Sequence, residues 1–563
     1  MNIEEKKLAK ILNNIAILLQ IKGENPFKAR AYANAAEKIR SNEVDIYSAY
    51  KNNTIHTLQG FGDALVKKIN EFFETGKISF YEKLIEEIPE SVADLIKVKN
   101  IGVAKAKKLF YELNITNLEQ LVEAGYNNKL IEIKGISKEI QEQILISAQH
   151  KIASKGRLRQ EEGYIIANNI IKEMLSIQGV VSATLTSDCR RFTETIKEFV
   201  FCVLLKDGVN IESIQQQINI LFENYKSKYE HIFNLKYIIT NDENYACILH
   251  SSTGNQEYLK SFYSFAESQG YNIFDDTIYK NNEKISIKSE NDIYSLLNLQ
   301  YVPPELRESS SAIQKAKEYQ IPKLIQYEDI QGLIHVHSNW SDGKNSIEEM
   351  ALKALELGFS YIAICDHSRS AAYTGGLSIE RVKEQHYEIE KLNQSIQGIT
   401  ILKGIESDIL PDGSLDYPED VLKGFDLVVA SVHSSFSMNK IDMTNRIIKA
   451  IKNPSTHILG HPTGRLILNR LPYEVEILDI IKAAADYGKI IEINANPYRL
   501  DLPWEFVIIA KDYGVRFSIN PDSHNINTFT DVRYGVYVAR KGWLEAEDVI
   551  NSKDVNKFLK YFV

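Results

Sequence analysis

The chain has 563 residues, of which 44% are hydrophobic and 25% are charged, and its formal net charge is −9. This length is too great for one hydrophobic core and predicts three or four domains. The negative charge gives no overall argument for nucleic-acid binding, so such binding would depend on local patches. No run of about 18 apolar residues is present, which argues against a membrane-spanning helix.

The cysteines and the first residues bear on where the protein works. The four cysteines lie far apart without a CxxC pair, which argues against a disulfide framework and against a thiolate zinc site. The first segment has early acidic residues and lacks the apolar core and cleavage site of a signal peptide. We therefore expect a cytoplasmic protein.

Residues 1 to about 150 are predicted to form short helices separated by glycine-containing turns. The first helix covers 3–21, and three later turns, 58–62 (LQGFG), 98–102 (VKNIG) and 133–137 (IKGIS), each precede an amphipathic helix. A glycine turn at a helix N-terminus presents backbone N–H groups to a phosphate. One such turn is weak evidence, but three in series predict binding to the DNA backbone. The residues assigned to this binding are Gly60, Gly62, Lys67, Lys68, Gly102, Lys105, Lys107 and Gly135.

Residues 151 to about 310 mix strands with helices, as in an α+β domain. Strands are predicted at 199–205, 237–240 and 246–250, and a helix at 213–225. The segment YVPPELR at 301–307 interrupts the periodicity, and a linker follows to about residue 330.

From residue 331 onward, strand and helix alternate seven times. Regular alternation of this kind indicates a parallel sheet, and seven units favour a closed barrel. The apolar strand runs are 333–337, 361–367, 401–406, 427–433, 457–461, 490–496 and 516–524.

Six of these seven strands end in a side chain that can bind a metal ion. Because barrel enzymes build their sites at the C-terminal ends of the strands, these side chains are expected to meet at one mouth of the barrel. Residues i and i+2 of a strand face the same way, so His335 and His337 are expected to point together. The predicted ligands are His335, His337, Asp342, His367, Glu406, His433, His461, Asp522 and His524.

Imidazole and carboxylate ligands without thiolate suit Zn, Mn or Fe. Nine ligands exceed the needs of one ion and suit two or three ions with bridging carboxylates. Such clusters activate water as hydroxide and hold both the attacking and the leaving oxygen of a phosphate ester. A lone histidine at a strand end is often structural, but nine ligands at matching positions favour a metal site. The remaining histidines are expected to be structural: His56, His150, His231, His250, His386 and His457.

The segments IHVHSNWSDG, DHS, GIESDI, SVHS, GHPTGR, INANP and DSH follow one another in this order from residue 334. They resemble the polymerase-and-histidinol-phosphatase (PHP) domain, in the version fused to bacterial family X DNA polymerases. The resemblance implies a trinuclear site with all nine residues as ligands, and 3′→5′ exonuclease activity, often with action at abasic sites or blocked 3′ ends. Arg465, in GHPTGR, and Arg533 are predicted to bind phosphate, because a guanidinium pairs bidentately with phosphate.

The first 150 residues, including IKGENPFKARAYANAAEKI, resemble the lyase-like and fingers domains of family X polymerases. Lys68, in VKKINEF, matches the family lysine that forms a Schiff base with an abasic sugar. That chemistry requires a lysine of lowered pKa. The alternative is a solvated lysine that binds phosphate.

Residues 151–310 resemble the palm and thumb of the same family but depart from it at the nucleotidyl-transfer site. The segment SDCRRFTETIKEFVFCVLL retains Arg190 and Arg191, which are assigned to DNA binding. The family's three aspartates fall on Glu198, Val200 and Asn234. Two-metal transfer needs carboxylates to hold both ions, and neither valine nor asparagine supplies one.

The family's aromatic pair before Thr-Gly is also replaced, by Ser251 and Ser252. We therefore expect an inactive polymerase core kept for holding DNA. The alternative is a displaced register, in which Asp188 or Glu194 supplies the missing charge.

The resemblance divides the chain into six parts: a lyase-like helical domain (1–88), a fingers-like helical domain (89–150), a palm-like domain (151–230), a thumb-like domain (231–312), a linker (313–330) and the PHP barrel (331–563).

The leading hypothesis is a DNA-repair-type nuclease. The helical domains and the inert palm would hold gapped, nicked or 3′-recessed DNA, while the barrel hydrolyses phosphodiesters with two or three divalent ions. A bifunctional polymerase/exonuclease with a relocated metal site and a small-molecule phosphatase are alternatives. A DNA scaffold without activity is disfavoured, because a retained cluster of buried polar ligands is costly.

Overall fold

The computed structural model of the chain describes residues 3–41, 43–229 and 234–562. The chain divides into two compact units, Met1–Lys155 and Gly156–Val563. His231 and the expected palm–thumb boundary lie outside the described residues. In the described segments, helices that combine the length and the apolar character needed to span a membrane are not found.

The first unit is built from helices. The predicted helix 3–21 is confirmed as α1, which buries Leu8, Leu12 and Leu19 in the core that it shares with α2. The start of α2 is set by Asn25, whose side-chain oxygen accepts the Phe27 N–H at 2.9 Å. The helices are α1 (Ile3–Lys22), α2 (Pro26–Arg40), α3 (Ile46–Lys51), α4 (Asp63–Thr75), α5 (Ser79–Glu87), α6 (Val92–Leu95), α7 (Val103–Leu113), α8 (Leu118–Tyr126) and α9 (Lys138–Ser154).

The second unit begins with the palm-like region, whose three-stranded sheet has the order β2-β4-β5. Strand β4 pairs antiparallel with β2 and parallel with β5. The predicted strands 199–205 and 237–240 lie within β4 and β5, and the predicted helix 213–225 lies within α12. The elements are β1 (Leu158–Arg159), α10 (Gln160–Leu175), β2 (Val180–Leu185), α11 (Ser187–Arg190), β3 (Thr195–Ile196), β4 (Glu198–Leu205), α12 (Ile211–Lys228) and β5 (Asn234–Thr240).

The thumb-like region follows, and here one prediction is wrong. The expected strand 246–250 is part of helix α13. All five residues of this run are buried, so the run shows no polar face from which a period could be read, and apolar runs of this length are ambiguous between strand and helix. The elements are α13 (Tyr245–Thr253), α14 (Gln256–Ser268), β6 (Tyr271–Phe274), β7 (Thr277–Lys280), β8 (Glu283–Ile285), α15 (Glu290–Leu296) and α16 (Ser311–Lys317).

The last region is a seven-stranded parallel sheet in which each strand pairs with the next along the chain. All seven predicted strands are confirmed. The elements are β9 (Gly332–Val336), α17 (Ile347–Glu356), β10 (Tyr361–Ile364), α18 (Ile379–Ser395), β11 (Thr400–Asp408), α19 (Glu419–Leu422), β12 (Leu427–Ser431), α20 (Lys440–Lys452), β13 (Ile458–Leu459), α21 (Ile477–Asp486), β14 (Ile490–Asn494), α22 (Trp504–Asp512), β15 (Phe517–Asn520), α23 (Val532–Lys541) and α24 (Val555–Leu559).

The two edge strands of this sheet approach each other. Val336, at the end of β9, forms a parallel bridge with Ser523, just after β15. The His337 N–H donates to the Ser523 carbonyl at 2.9 Å. The sheet is therefore a nearly closed barrel, and its strands are buried on both faces, as parallel strands covered by helices are.

The palm-like and thumb-like regions pack directly against this barrel. The Phe192 ring stacks on Tyr537 of α23, with centroids 3.9 Å apart and planes 9° apart. Lys541 donates to the Arg191 carbonyl at 2.9 Å. Arg540 donates through Nε to Glu305 at 2.5 Å. Gly156–Val563 thus forms one packed body, consistent with its description as one compact unit.

Candidate metal centre and nucleic-acid contacts

The nine predicted ligands come together at the C-terminal ends of the barrel strands. His335 and Glu406 lie on β9 and β11, while the others lie just after strands or in the loop after β9. Three of them have backbone conformations with positive φ: His335 (60°), His461 (23°) and Asp522 (51°). Conformations of this kind cost about 1–3 kcal/mol each and are typical of functional sites.

The ligand atoms form four overlapping groups, and within each group all atoms lie within 4.8 Å of one another. Every predicted ligand belongs to at least one group. The groups are His337, Asp342, His367 and His524; His335, His337 and Asp522; His335, Glu406 and His461; and His367, Glu406 and His433. Overlap of this kind suits two or more ions that share ligands.

Glu406 occupies the centre of the cluster. Its Oε1 lies 3.2 Å from Nε2 of His335, 3.2 Å from Nε2 of His433 and 3.0 Å from Nε2 of His461. Its Oε2 lies 2.9 Å from Nδ1 of His367. A carboxylate with imidazoles on both oxygens would serve as a shared ligand when these histidines bind metal ions.

Asp522 and Asp342 extend the cluster on either side. Asp522 Oδ1 lies 3.3 Å from Nε2 of His337. Asp342 Oδ1 lies 3.6 Å from Nε2 of His367 and 3.4 Å from Nε2 of His524. Several of the buried ring nitrogens form no hydrogen bond: His335 Nε2, both nitrogens of His337, and His367 Nδ1. A buried nitrogen without a partner is costly, and a divalent cation would relieve this cost by taking one nitrogen of each ring as a ligand. The donor set therefore fits the metal ions predicted from the sequence.

The protonation of the cluster also fits a cation site. Burial, with the neighbouring His524 and His367, lowers the pKa of His337 to about 3, which keeps the ring neutral and leaves one nitrogen free for coordination. Burial also opposes charge on His433, but Glu406 and Asp408 outweigh it and raise the His433 pKa to about 9. Burial alone would raise the pKa of Glu406, yet the surrounding imidazoles hold it well below its usual range. Protons on such imidazoles are released when a cation binds.

Two buried carboxylates that the sequence analysis did not single out orient the ligands. Glu492 Oε1 lies 2.6 Å from Nδ1 of His335, and its Oε2 accepts the His461 N–H at 2.6 Å. Asp408 Oδ1 lies 2.5 Å from Nδ1 of His433. Such partners fix the tautomer and the ring orientation of metal-binding histidines. Both could have been noticed in the sequence, because each is an acidic residue within a buried apolar strand, Asp408 in β11 and Glu492 in β14.

An arginine that the sequence analysis did not single out, Arg499, lies at the cluster, and the phosphate-binding role of Arg465 stays a prediction. Arg499 Nε lies 3.3 Å from Asp522 Oδ2. The Arg465 guanidinium is turned away, with Nη2 at 2.5 Å from Glu194 and Nε donating to the Arg499 carbonyl at 2.9 Å. Arg533 lies on α23, where it donates to Thr530 at 3.1 Å.

The three predicted hairpins have the same backbone geometry. Gly60, Asn100 and Gly135 all have positive φ, of 94°, 69° and 96°. Two residues after Gly60 and Asn100, Gly62 immediately precedes α4 and Gly102 immediately precedes α7. Neither glycine has a side chain to cap its helix, so the first backbone N–H groups of both helices form no hydrogen bond with a capping side chain. A Cβ added at Gly62 or Gly102 would meet no atom within 4 Å. Both turns are exposed and can admit a phosphate.

The third hairpin differs, because Ser137 caps α9 by accepting the Ile140 N–H. Lys105, behind the second hairpin, donates to the Asn100 carbonyl at 2.9 Å. Lys67 and Lys107 are exposed beside the first and second hairpins.

Comparisons with known proteins agree with this architecture. Residues 4–78 match the helix-hairpin-helix domain, 92–150 the SAM-like helix-hairpin-helix tandem, 248–308 the DNA polymerase beta thumb and 334–496 the PHP domain. A Bacillus subtilis (strain 168) protein named DNA polymerase/3′-5′ exonuclease PolX is 34% identical, over 99% of each chain. The chain belongs to the PolX family.

Other relatives of this PolX-family chain match a smaller share of it. A probable phosphatase of Thermoanaerobacter sp. (strain X514) is 30% identical over 38% of this chain and 87% of its own length. A probable phosphatase of Caldicellulosiruptor bescii is 34% identical over 32% of this chain and 73% of its own length.

The palm of this PolX-family chain places the three departing residues side by side. Glu198 pairs in register with Asn234 on the neighbouring parallel strand, and Val200 follows Glu198 by two residues. The Glu198 carboxylate forms an ion pair with Lys236 at 2.7 Å. Over residues 3–41, 43–229 and 234–562, each group of three or more possible metal ligands lies at the barrel mouth, not here.

The palm arginines are held by carboxylates. Arg190 donates from both terminal nitrogens to Glu290, at 3.1 and 2.5 Å. Arg191 lies 2.5 Å from Asp188 and 3.2 Å from Glu308. DNA binding by Arg190 and Arg191 stays a prediction. The ion pairs do not favour it, because they already occupy both guanidinium groups.

Lys68 lies on α4 with its Nζ 5.2 Å from the centroid of the Phe80 ring. Lys28 faces the same ring at 4.8 Å. Partial burial, together with the charge of Lys28, lowers the pKa of Lys68. This is the direction that Schiff-base chemistry requires.

Proposed function

We propose that this PolX-family chain is a metal-dependent phosphodiesterase that removes nucleotides from the 3′ end of DNA. The observation that carries the proposal is the convergence of nine ligand side chains, including buried nitrogens without hydrogen bonds, at one mouth of the barrel. The exposed hairpin turns support DNA as the substrate, held by its backbone and so without sequence preference. Gapped, nicked and 3′-recessed duplexes are the forms proposed.

The chemistry follows from the cluster. Divalent ions, when bound, supply a hydroxide at neutral pH and neutralise charge on the phosphate. Glu492 and Asp408 keep the ring nitrogens of His335 and His433 directed at the centre. Arg499, against Asp522, offers a guanidinium to a phosphate oxygen.

An exposed aromatic side chain near the cluster suits a nucleobase. Tyr373 is 75% exposed. Partial desolvation, together with the charges of Asp408, Glu406 and Asp342, raises the pKa of Tyr373, so the carboxylates of the site act on this side chain. We propose that this ring stacks on the terminal base, because stacking of this kind tolerates any base.

The test uses purified full-length protein with Mn²⁺ and a 5′-labelled, 3′-recessed duplex. We expect release of mononucleotides from the 3′ end. His337→Ala removes a ligand that belongs to two of the groups, so we expect it to lower the rate of release at least about 100-fold. Absence of release by the unaltered protein, or release that His337→Ala leaves unchanged, would contradict the proposal.

A phosphatase of small molecules is the second candidate, favoured by the relatives named probable phosphatases. It predicts turnover of phosphomonoesters with the same ions and none of DNA. Comparing p-nitrophenyl phosphate with the labelled duplex, at equal protein and Mn²⁺, separates the two.

We further propose that polymerase activity is lost. The support is the set Glu198, Val200 and Asn234, in which the one carboxylate is paired with Lys236. Primer extension with Mg²⁺ or Mn²⁺ and all four nucleotides is expected to give no product. Extension that survives His337→Ala and disappears with Glu198→Ala would overturn this.

A lyase activity at Lys68 is proposed on its lowered pKa and its place beside Phe80 and Lys28. Borohydride is expected to trap the protein on DNA with an abasic site, and Lys68→Ala to abolish trapping. Lys77→Ala, at an exposed lysine just after α4 that is not assigned to DNA binding, is the matched control. Equal trapping by both variants would refute the assignment.

We retain the six-part division of the chain, from the lyase-like domain at 1–88 to the barrel at 331–563, as a proposal. It is supported by the matched ranges 4–78, 92–150, 248–308 and 334–496.

A further inference from the structure

One contact joins the palm-like region to the loops at the barrel mouth. Glu194, between α11 and β3, lies with Oε1 2.5 Å from Nη2 of Arg465, in the segment that follows β13. Both side chains are largely buried, with 23% and 13% exposed. An ion pair of this kind costs several kcal/mol to desolvate and contributes mainly where its geometry is fixed by further hydrogen bonds.

Those further bonds go to the loop after β14. Arg465 donates through Nε to the Arg499 carbonyl at 2.9 Å and through Nη2 to the Leu500 carbonyl. A second palm residue, Arg159, lies over the ring of Tyr498 with 3.8 Å to the centroid. The loop at 498–500 is therefore held at three successive residues: Arg159 of the palm contacts Tyr498, and Arg465 of the barrel, paired with Glu194 of the palm, binds the next two carbonyls.

This loop carries the arginine of the candidate site. The side chain of Arg499 lies with Nε 3.3 Å from Asp522 Oδ2, on the carboxylate whose other oxygen faces His337. The loop also supports the segment after His461, because Asp501 accepts the N–H groups of Thr463 and Gly464 at 3.0 Å each.

We propose that Glu194 is a positioning residue for the metal site: by holding Arg465 against the carbonyls of residues 499 and 500, it sets the place of Arg499 against Asp522. This rests on the proposed phosphodiesterase function. The palm would then help to position the loops of the barrel mouth. This role does not require the metal-binding carboxylates that are replaced by Val200 and Asn234.

Glu194 is needed to position Arg465 because a second carboxylate, Asp501, competes for the Arg465 guanidinium. Asp501 is buried, its Oδ1 has no hydrogen-bond partner, and its charge acts on Arg465. Without the charge of Glu194, the guanidinium is expected to turn toward Asp501 and to release the carbonyls of Arg499 and Leu500. Arg499 then loses the backbone anchor that sets its side chain.

The test compares two isosteric variants of the full chain. Glu194→Gln removes the charge of the proposed positioning residue. Glu305→Gln is the matched control, since Glu305 is also a buried carboxylate of the thumb side that pairs with a barrel arginine, Arg540, at 2.5 Å. Among the described residues, the hydrogen bonds and ion pairs of Glu305 do not reach the ligand cluster.

For Glu194→Gln we expect kcat with bis(p-nitrophenyl) phosphate and with DNA to fall about 10–100-fold, with KM changed less than about threefold. We expect Mn²⁺ affinity, titrated on the metal-free protein by electron paramagnetic resonance, to fall about tenfold. For Glu305→Gln we expect kcat with the diester, kcat with DNA and Mn²⁺ affinity to stay within about twofold of the unaltered protein. Thermal unfolding of both variants identifies a general loss of fold.

In an Arg499→Lys background, Glu194→Gln is expected to add little, because both changes act through the same contact. Equal effects of the two glutamine variants, or Mn²⁺ affinity and kcat unchanged by Glu194→Gln, would overturn the inference. The diester and the Mn²⁺ titration involve no DNA, so a failure of the proposed nuclease function is seen separately in the DNA assay.

Discussion

The hydrogen bond between Asp408 and His433 offers a sharp test of how the site is built. Asp408 is 5% exposed, and its Oδ1 lies 2.5 Å from Nδ1 of His433. Its Oδ2 accepts the Ser370 hydroxyl at 2.7 Å. Asp408→Asn keeps the shape and an oxygen acceptor for His433, and Ser370 can rotate to accept from the new amide. The change therefore removes little except the charge.

The expected magnitude follows from that charge. A hydrogen bond to a charged group contributes about 1.5–3 kcal/mol and one between neutral groups about 0.5–1.5 kcal/mol. The difference, about 1–1.5 kcal/mol, corresponds to roughly a tenfold change in rate or affinity. We expect Asp408→Asn to lower kcat/KM and Mn²⁺ affinity by about tenfold, and Asp408→Ala, which leaves His433 without an orienting partner, by about 100-fold.

The assay is nucleotide release from 3′-recessed DNA, with Mn²⁺ titration beside it. Asp426→Asn is the control, since Asp426 immediately precedes β12 and accepts the Lys403 N–H at 2.8 Å at the opposite end of the strands. Activity of Asp408→Asn within about twofold of the unaltered protein, or equal losses in both variants, would refute the reasoning.

Three further predictions concern other parts of the molecule. Burial and the charge of Glu161 raise the pKa of Asp531 to about 7, so its ionisation costs stability above about pH 4 and fully above about pH 7. Asp531→Asn should thus raise the free energy of unfolding by about 1–2 kcal/mol at pH 8, allowing for solvent screening, and by nothing near pH 4; a gain independent of pH would contradict this. Chelation with EDTA should lower the unfolding temperature, and excess Mn²⁺ should restore it, because ions that bind only the folded state stabilise it; this effect should be absent in His337→Ala. Gly62 has φ −72° and open space around it, so Gly62→Glu should fold normally yet weaken binding of duplex DNA at least about tenfold by repelling phosphate; unchanged affinity in a filter-binding assay would show that this turn does not contact DNA.

The palm is held together by contacts that involve no nucleotide. Arg190 and Arg191 are present, but Glu290, Asp188 and Glu308 hold their guanidinium groups in ion pairs. The same region contributes Phe192 to the packing against the barrel. Contacts of this kind would preserve the palm whether or not nucleotides bind to it.

The sequence by itself determined the barrel and the nine candidate ligands. Each strand is a buried apolar run, and each ligand lies at or shortly after the C-terminal end of a strand, so parallel topology alone brings them to one mouth. The departures at Val200 and Asn234 are likewise visible without a structure, because a missing carboxylate is a property of the residue. The three hairpins were recognisable from their glycines, since positive φ at Gly60 and Gly135 favours that residue.

Only the tertiary structure decided which polar side chains serve those ligands. Arg465 and Arg499 look alike in the sequence, but a long side chain in a loop takes its direction from distant partners, here Glu194 and Asp522. The run 246–250 became helix because burial on all sides left no period to read. The nine-ligand cluster could be predicted because strand geometry is local. The connection of this cluster to the palm could not be predicted, because it depends on contacts between residues hundreds of positions apart in the sequence.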